Sequence, residues 1–279
     1  MLSWEQVQEF KSRGFLKGDV ILSEDAVDGL REELDRVLTD QSENKPVLSR
    51  NLLQRSAPMG DQVAMEISQD ETVIQVVNIW MASERFLAHA AHPQICQEVA
   101  QLTASATLRV WHDQVQYKPP IIGGPTFWHQ DHPAWPVLQP ADLVSAWVAL
   151  DDATIDNGCM WMVPGSHRWG DVGQFLQTDL ETYQPYLTDP AVLPQGAEVV
   201  AVPFEIKKGQ VGYHHCLMWH GAYPNRSDRK RRAIAVHYMP GHIRYVPKGE
   251  HVMGAFIDVA PGSILTGEAF PVVYHAEVG

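Results

Sequence analysis

Residues 210–239 read QVGYHHCLMWH, then GAYPNRSDRK, then RRAIAVHYM: an apolar run, a polar turn rich in Pro, Asn and Arg, and a second apolar run. Each run is short, crowded with Val, Ile, Tyr and Trp, and bounded by turn formers. That is the signature of a strand rather than a helix. Outward from here the texture repeats. ATLRVWHDQVQY (106–117), DLVSAWVAL (142–150), CMWMV (159–163) and EVVAVPFEI (198–206) are runs of the same kind. A chain of short strands at this spacing reads as a β-sandwich or barrel. Asn157-Gly158, between two of the runs, is a dipeptide favoured in tight hairpins. Residues 170–195 interrupt the series with a polar, proline-containing insert, expected to form a lid.

Upstream the pattern changes. Ser3-Trp4-Glu5-Gln6 is a capping box that opens a helix, Gly14 closes it, and Phe15 to Leu22 reads as extended. Ser23 can cap a second helix, in which Val27, Leu30, Leu34 and Val37 recur at helical spacing. Residues 40–62 are polar and aperiodic and read as a long loop, and residues 83–103 read as helices broken at His92-Pro93. No linker or repeat divides the chain. One domain over 1–279 is expected, with a helical N-terminal layer over about 1–105 packed on a barrel core over about 106–245.

Composition bounds the function. With 279 residues, 20% charged and 45% hydrophobic, the chain is globular and long enough for a sizeable core. The formal net charge of -13 disfavours nucleic acid and anionic membranes as partners, because both need a basic face. The three cysteines are far apart and in no CxxC spacing, so neither a disulfide framework nor a thiolate zinc site is indicated. There is no run of eighteen apolar residues and no signal-peptide pattern at MLSWEQVQEF. A reducing, cytoplasmic setting is expected. The thirteen histidines raise the question of ligand spacing.

Phe127-Trp128-His129-Gln130-Asp131-His132 answers first. In extended backbone, His129 and Asp131 would share a face, with backbone positions about 6.5–7 Å apart. A lone HxD recurs by chance in loops, so it needs a third partner. His220 ends the apolar run at MWHG, ninety-one residues on. Two His and one Asp, from a local pair and a distant third, make the facial set that binds non-haem Fe(II) with open positions. Fe(II) with one carboxylate and two neutral imidazoles carries +1, which suits an anionic chelating cosubstrate and leaves room for O2. The only dense basic cluster, Arg226, Arg229, Lys230, Arg231 and Arg232, lies just after. Most of it reads as a solvated turn. An Arg at the mouth of the following strand can still aim its fork inward and clamp a carboxylate. Strand neighbours alternate faces, so Arg231 and Arg232 should not both point inward.

HxD, then NG-CMWMVPGSH, then WHG, then Arg231 eleven residues later in RRAIAVHY, together resemble the phytanoyl-CoA dioxygenase family of Fe(II)- and 2-oxoglutarate-dependent oxygenases, over about 108–240. The resemblance implies a double-stranded β-helix, a jelly-roll barrel with iron in its mouth. It implies His129, Asp131 and His220 as metal ligands and Arg231 as the partner of the far carboxylate of 2-oxoglutarate. Trp147 matches a tryptophan lining that pocket, and His112 and Gln114 match pocket-facing positions on the strand before the HxD. Lys118 matches a structural or rim lysine. Two positions depart from the pattern. Ala222 stands where similar proteins often carry a serine, and no lysine occurs around Val76-Val77-Asn78. Asp131 argues against a halogenase, since similar halogenases lack that carboxylate.

The other histidines carry weaker arguments. His214 would share a face with His220 while His215 faces away, and His167 reads as a turn residue. Trp128 and Trp135 could wall a pocket, although such residues are core more often than not. The implied activity is oxidation of a small molecule, by hydroxylation, desaturation or ring formation, with release of succinate and CO2. The rival readings are a cupin-type metal-dependent isomerase or hydrolase without 2-oxoglutarate, and a non-catalytic jelly-roll binding protein.

Overall fold

The computed structural model describes residues 1–39, 48–52 and 71–276. Most of the loop expected at 40–62 therefore lies outside the described residues. Among the described residues, four α-helices, Trp4–Arg13, Glu24–Thr39, Glu84–Ala90 and Pro93–Thr103, accompany the strands. In chain order the strands are β1 (Phe15–Val20), β2 (Leu48–Asn51), β3 (Ile74–Val77), β4 (Thr107–Lys118), β5 (Thr126–His129), β6 (Leu138–Gln139), β7 (Val144–Ala149), β8 (Met160–Met162), β9 (Leu176–Thr178), β10 (Pro185–Leu187), β11 (Val202–Phe204), β12 (Gln210–His215), β13 (His220–Ala222), β14 (Arg231–Pro240), β15 (Arg244–Tyr245) and β16 (Val272–His275). The major sheet runs β1-β12-β7-β14-β4-β3-β2 with β16 also on β4, and a four-stranded sheet runs β11-β8-β13-β5.

Three layers result. All ten residues of β14 and all six of β7 are buried, because both faces of the major sheet are covered. One face packs Val144, Val148, Ile234, Val236 and Tyr238 against Phe10, Leu30, Leu34, Phe86, Ile95 and Val99 of the helices. Each such side chain contributes about 1.5–3 kcal/mol over being left exposed. The opposite face sets Trp147, Ala149, Ala233 and Ala235 against Met160, Met162 and Phe204 of the smaller sheet. The architecture is mainly β, a curled antiparallel double-sheet jelly roll with few helices.

Local signals place the early elements. Ser3 and Gln6 form the reciprocal capping box, Gly14 ends the first helix at φ 82°, and the Ser23 hydroxyl accepts from Ala26 N. The N-terminal third is more than a helical layer, because it also supplies β1, β2 and β3 to the major sheet. Asn157-Gly158 closes no hairpin. The strands on either side, β7 and β8, belong to different sheets. Asn157 instead caps a short 3-10 turn, and Gly158 ends it at φ 80°, where a Cβ would lie 2.5 Å from the Tyr223 carbonyl. Residues 170–195 form the β9–β10 hairpin and short turns. Their Val172, Leu176, Phe175 and Leu187 pack with Trp128 and Trp219 on the outer side of the smaller sheet.

Candidate functional site

Cross-strand register builds the inner face of the major sheet as rows. His112, His237, Ser145 and His214 are successive partners across β4, β14, β7 and β12. The next row is Gln114, Ala235, Trp147 and Gly212, then Gln116, Ala233 and Ala149, then Lys118 and Arg231. The middle rows are small on β14, and they border a cleft between the two sheets. Gln114, Gln116, Trp147 and Ala235 line it from the major sheet, and Thr126, Met160, Gly221 and Ala222 from the smaller one.

His129 and His220 are direct partners on β5 and β13, with ring centroids 4.1 Å apart. Asp131 does not continue the strand. It adopts α-region backbone (φ -71°, ψ -45°) at the start of the turn His132–Ala134, which swings its carboxylate back toward the rings. Asp131 Oδ1 lies 3.6 Å from His129 Nε2 and 3.8 Å from His220 Nε2. One ligand atom from each of the three residues falls within 4.8 Å of the others. Both imidazoles are anchored through the other nitrogen: His129 Nδ1 is 2.7 Å from Phe127 O, and His220 Nδ1 is 2.9 Å from Met218 O. A carbonyl only accepts, so Nδ1 carries the proton and Nε2 keeps its lone pair for a metal.

The electrostatics agree with a ligand set. Burial, together with neighbouring His129, holds His220 well below the usual imidazole range, hence neutral. Burial would also lower His129, but the hydrogen bond and charge of Asp131 outweigh it and raise this ring. Burial works against the Asp131 charge, yet the surrounding imidazoles, His220 foremost, hold its carboxyl well below the carboxylate range. The donor set of two imidazoles and one carboxylate fits Fe(II).

Arg231 and Arg232 face opposite ways. Arg232 donates to Asp151 through Nε (2.9 Å) and Nη2 (2.9 Å), on the helix side. Arg231 is 1% exposed, its guanidinium carbon sits 5.8 Å from the Trp147 ring centre, and its Nε and Nη1 find no acceptor among the described residues. Burial lowers it to about 10. Lys118, its register partner, is fully buried and donates to the carbonyls of Ala222 (3.2 Å) and Tyr223 (2.7 Å). Burial and the adjacent Arg231 hold this amine well below its usual range. Arg226 and Arg229 are occupied by Glu71 and Asp156.

Residues 10–233 match the sequence profile of the phytanoyl-CoA dioxygenase family. The chain belongs to the phytanoyl-CoA dioxygenase family. It is 26% identical over 255 residues to a phytanoyl-CoA dioxygenase of Arabidopsis thaliana, covering 85% of this chain and 88% of the relative. A solved non-haem alpha-ketoglutarate-dependent carbocyclase from nogalamycin biosynthesis is 29% identical, with a TM-score of 0.72 over 97% of this chain and 96% of that one. The epimerase of the same biosynthesis, solved with Fe3+, alpha-ketoglutarate and nogalamycin RO, is 24% identical with a TM-score of 0.73, covering 96% of this chain and 97% of that one. Like its family, the chain is an Fe(II)- and 2-oxoglutarate-dependent oxygenase that uses O2.

Within this family frame, the expected positions separate. Gln114 and Trp147 line the cleft, and Gln75 donates its amide to Gln114. His112 shares their face but sits one row behind, with its ring 4.6 Å from His237 and 5.6 Å from Trp135. Trp128 points to the outer side of the smaller sheet, where Nε1 donates to Tyr183 O (2.7 Å), so it is core rather than pocket wall. His215 faces away and meets Asp142 (3.4 Å), and His167 reaches Lys11 O (3.2 Å). From the sequence, Lys118 reads as a structural or rim residue. The signal that could have placed it inside is its spacing of four from Gln114, which puts both on one strand face.

Proposed function

We propose that this family member oxidises a small organic molecule, with Fe(II) held by His129, Asp131 and His220 and with 2-oxoglutarate held by Arg231. The observation that carries this reading is the buried guanidinium of Arg231, partnerless at Nε and Nη1 among the described residues and on the same inner face as the cleft. A buried, uncompensated charge costs several kcal/mol, and a carboxylate answers a guanidinium with two parallel bonds. A molecule that also reaches the metal needs a chelating group at its other end. 2-Oxoglutarate has both.

When bound, iron with 2-oxoglutarate and O2 supplies the oxidising chemistry, with succinate and CO2 as products. The chain's own residues bind and orient. His129 and His220 present Nε2 because their Nδ1 protons are held by backbone carbonyls. Asp131 supplies the single negative charge of the ligand set. Trp147 walls the cosubstrate, and Gln114, steadied by Gln75, offers a neutral amide to the cleft. Lys118, beside Arg231, ties its strand to the smaller sheet through two carbonyls. His112, one row back, supports the site through His237.

The substrate in this reading is a small metabolite of natural-product type rather than an acyl-CoA. Coenzyme A phosphates need uncommitted cations, and Arg226, Arg229 and Arg232 each hold a carboxylate. The carbocyclase of nogalamycin biosynthesis, 29% identical, points the same way. Residues 1–279 act as one catalytic unit, since helices and both sheets share apolar clusters. Its place is the cytoplasm, in keeping with three buried free cysteines. No helix among the described residues is long and apolar enough to cross a membrane.

Adding Fe(II) and 2-oxoglutarate to the apoprotein without oxygen should produce the weak visible charge-transfer band of the chelate. His220→Ala should lose it. A wild-type protein without the band, or a His220→Ala variant that keeps it at full strength, overturns this assignment.

A further inference from the structure

The two oxygens of Asp131 face different neighbours. Oδ1 faces His129 and His220, as described. Oδ2 lies 3.1 Å from His214 Nε2 and accepts from the Ser145 hydroxyl at 3.3 Å. Ser145 Oγ is in turn 2.6 Å from His237 Nδ1. His214, Ser145 and His237 are neighbours in one cross-strand row, and they are 2%, 0% and 1% exposed. Three adjacent strands thus bring polar side chains to the back of a single carboxylate.

The direction of this chain follows from donor counting. An ionised carboxylate only accepts, and a hydroxyl has one proton. That proton goes to Asp131, so the Ser145 lone pair receives the proton on His237 Nδ1. His214 donates from Nε2. Buried polar groups seldom persist without such pairing; here two of the three meet Oδ2 directly and His237 reaches it through Ser145.

We propose that His214 and the Ser145–His237 pair are positioning residues that keep Asp131 a one-oxygen ligand. The inference rests on Asp131 being a metal ligand. A carboxylate free to turn about its Cβ–Cγ bond can chelate through both oxygens and fill a further coordination position. Three protein donors, a chelating 2-oxoglutarate and O2 already account for six. Holding Oδ2 from behind leaves Oδ1 alone to the metal and keeps the remaining positions available.

The test is metal affinity of the apoprotein, titrated with Co(II) and followed by its visible absorption, alongside the anaerobic Fe(II)–2-oxoglutarate band. Wild type should bind. His214→Ala should bind Co(II) about 10–100-fold more weakly, the usual effect of removing a partner of a metal ligand. His214→Gln, which restores an N–H donor, should recover most of that loss. Ser145→Ala removes one atom, and should weaken binding severalfold even where His214→Ala fails to fold. His214→Ala or Ser145→Ala within twofold of wild type, or His214→Gln as weak as His214→Ala, overturns the positioning role and leaves the oxygenase reading standing. A wild type that binds neither metal overturns the ligand assignment and this inference together.

Discussion

Arg231 and Arg232 are adjacent, alike in chemistry, and opposite in what they do. Strand alternation turns one toward the cleft and the other toward Asp151. Arg231→Ala should weaken 2-oxoglutarate binding by about two orders of magnitude, the scale of losing one side of a buried, hydrogen-bonded charge pair. The charge-transfer titration measures it. Arg232→Ala should leave that affinity alone and lower stability by about 1–2 kcal/mol, seen as a drop in melting temperature, because the partly buried Asp151 loses one of its two arginine partners and keeps only Arg31. The alternation rule made this split legible in the sequence, and the family motif named Arg231. The sequence did not show that three other arginines of the cluster are neutralised, since Glu71, Asp156 and Asp151 lie far from them in the chain.

Strand β14 carries the same logic along its length. Ala233 and Ala235 face the smaller sheet, and Ile234 and Val236 face the helices. The alanines leave room for a ligand between two rows of larger side chains. Ala235→Leu should fill that room and abolish 2-oxoglutarate binding in the same titration, at an overpacking cost of about 1–3 kcal/mol. Ile234→Ala should do the reverse: about 2–5 kcal/mol less stable by denaturant unfolding, with cosubstrate affinity unchanged. The period-two pattern of RRAIAVHYM foretold two faces. The element-level error was Asn157-Gly158. The dipeptide does make a tight turn, but local turn chemistry cannot say whether the next strand pairs with the last or crosses to another sheet. Gly221 sits mid-strand in β13, where a Cβ would come within 3.1 Å of the Trp128 ring.

At the scale of the molecule, buried ionisable groups set the pH range of stability. Burial lowers His89 to about 3, so the folded protein keeps it neutral while the unfolded chain protonates it below about 6.5. Stability therefore falls as pH drops from 6.5 toward 3, by about 1.4 kcal/mol per unit. Asp113, buried beneath the turn Ile79–Ala82 and accepting from Trp80 N, is pushed up to about 8. Its folded form holds a proton that the unfolded chain releases above about 3.8, so its contribution is lost as pH rises toward 8. The two slopes offset between about 3.8 and 6.5, and of these two groups only Asp113 acts from 6.5 to 8. Asp113→Asn should flatten that upper arm, leaving the protein about 2 kcal/mol more stable at pH 8 relative to pH 6.5 than wild type is. His89→Leu should relieve the loss on the acid side. Denaturant melts across pH check both. By itself the sequence determined the strand series and that only one of Arg231 and Arg232 turns inward, because strand period is written in neighbouring residues, while the family resemblance singled out His129, Asp131, His220 and Arg231 as candidates. Only the tertiary structure decided which sheet each strand joins, which carboxylates occupy the basic cluster, and that His214, Ser145 and His237 meet behind Asp131. Those pairings depend on contacts between segments far apart in the chain, ninety-two residues for Ser145 and His237 and 155 for Glu71 and Arg226, which no local pattern encodes.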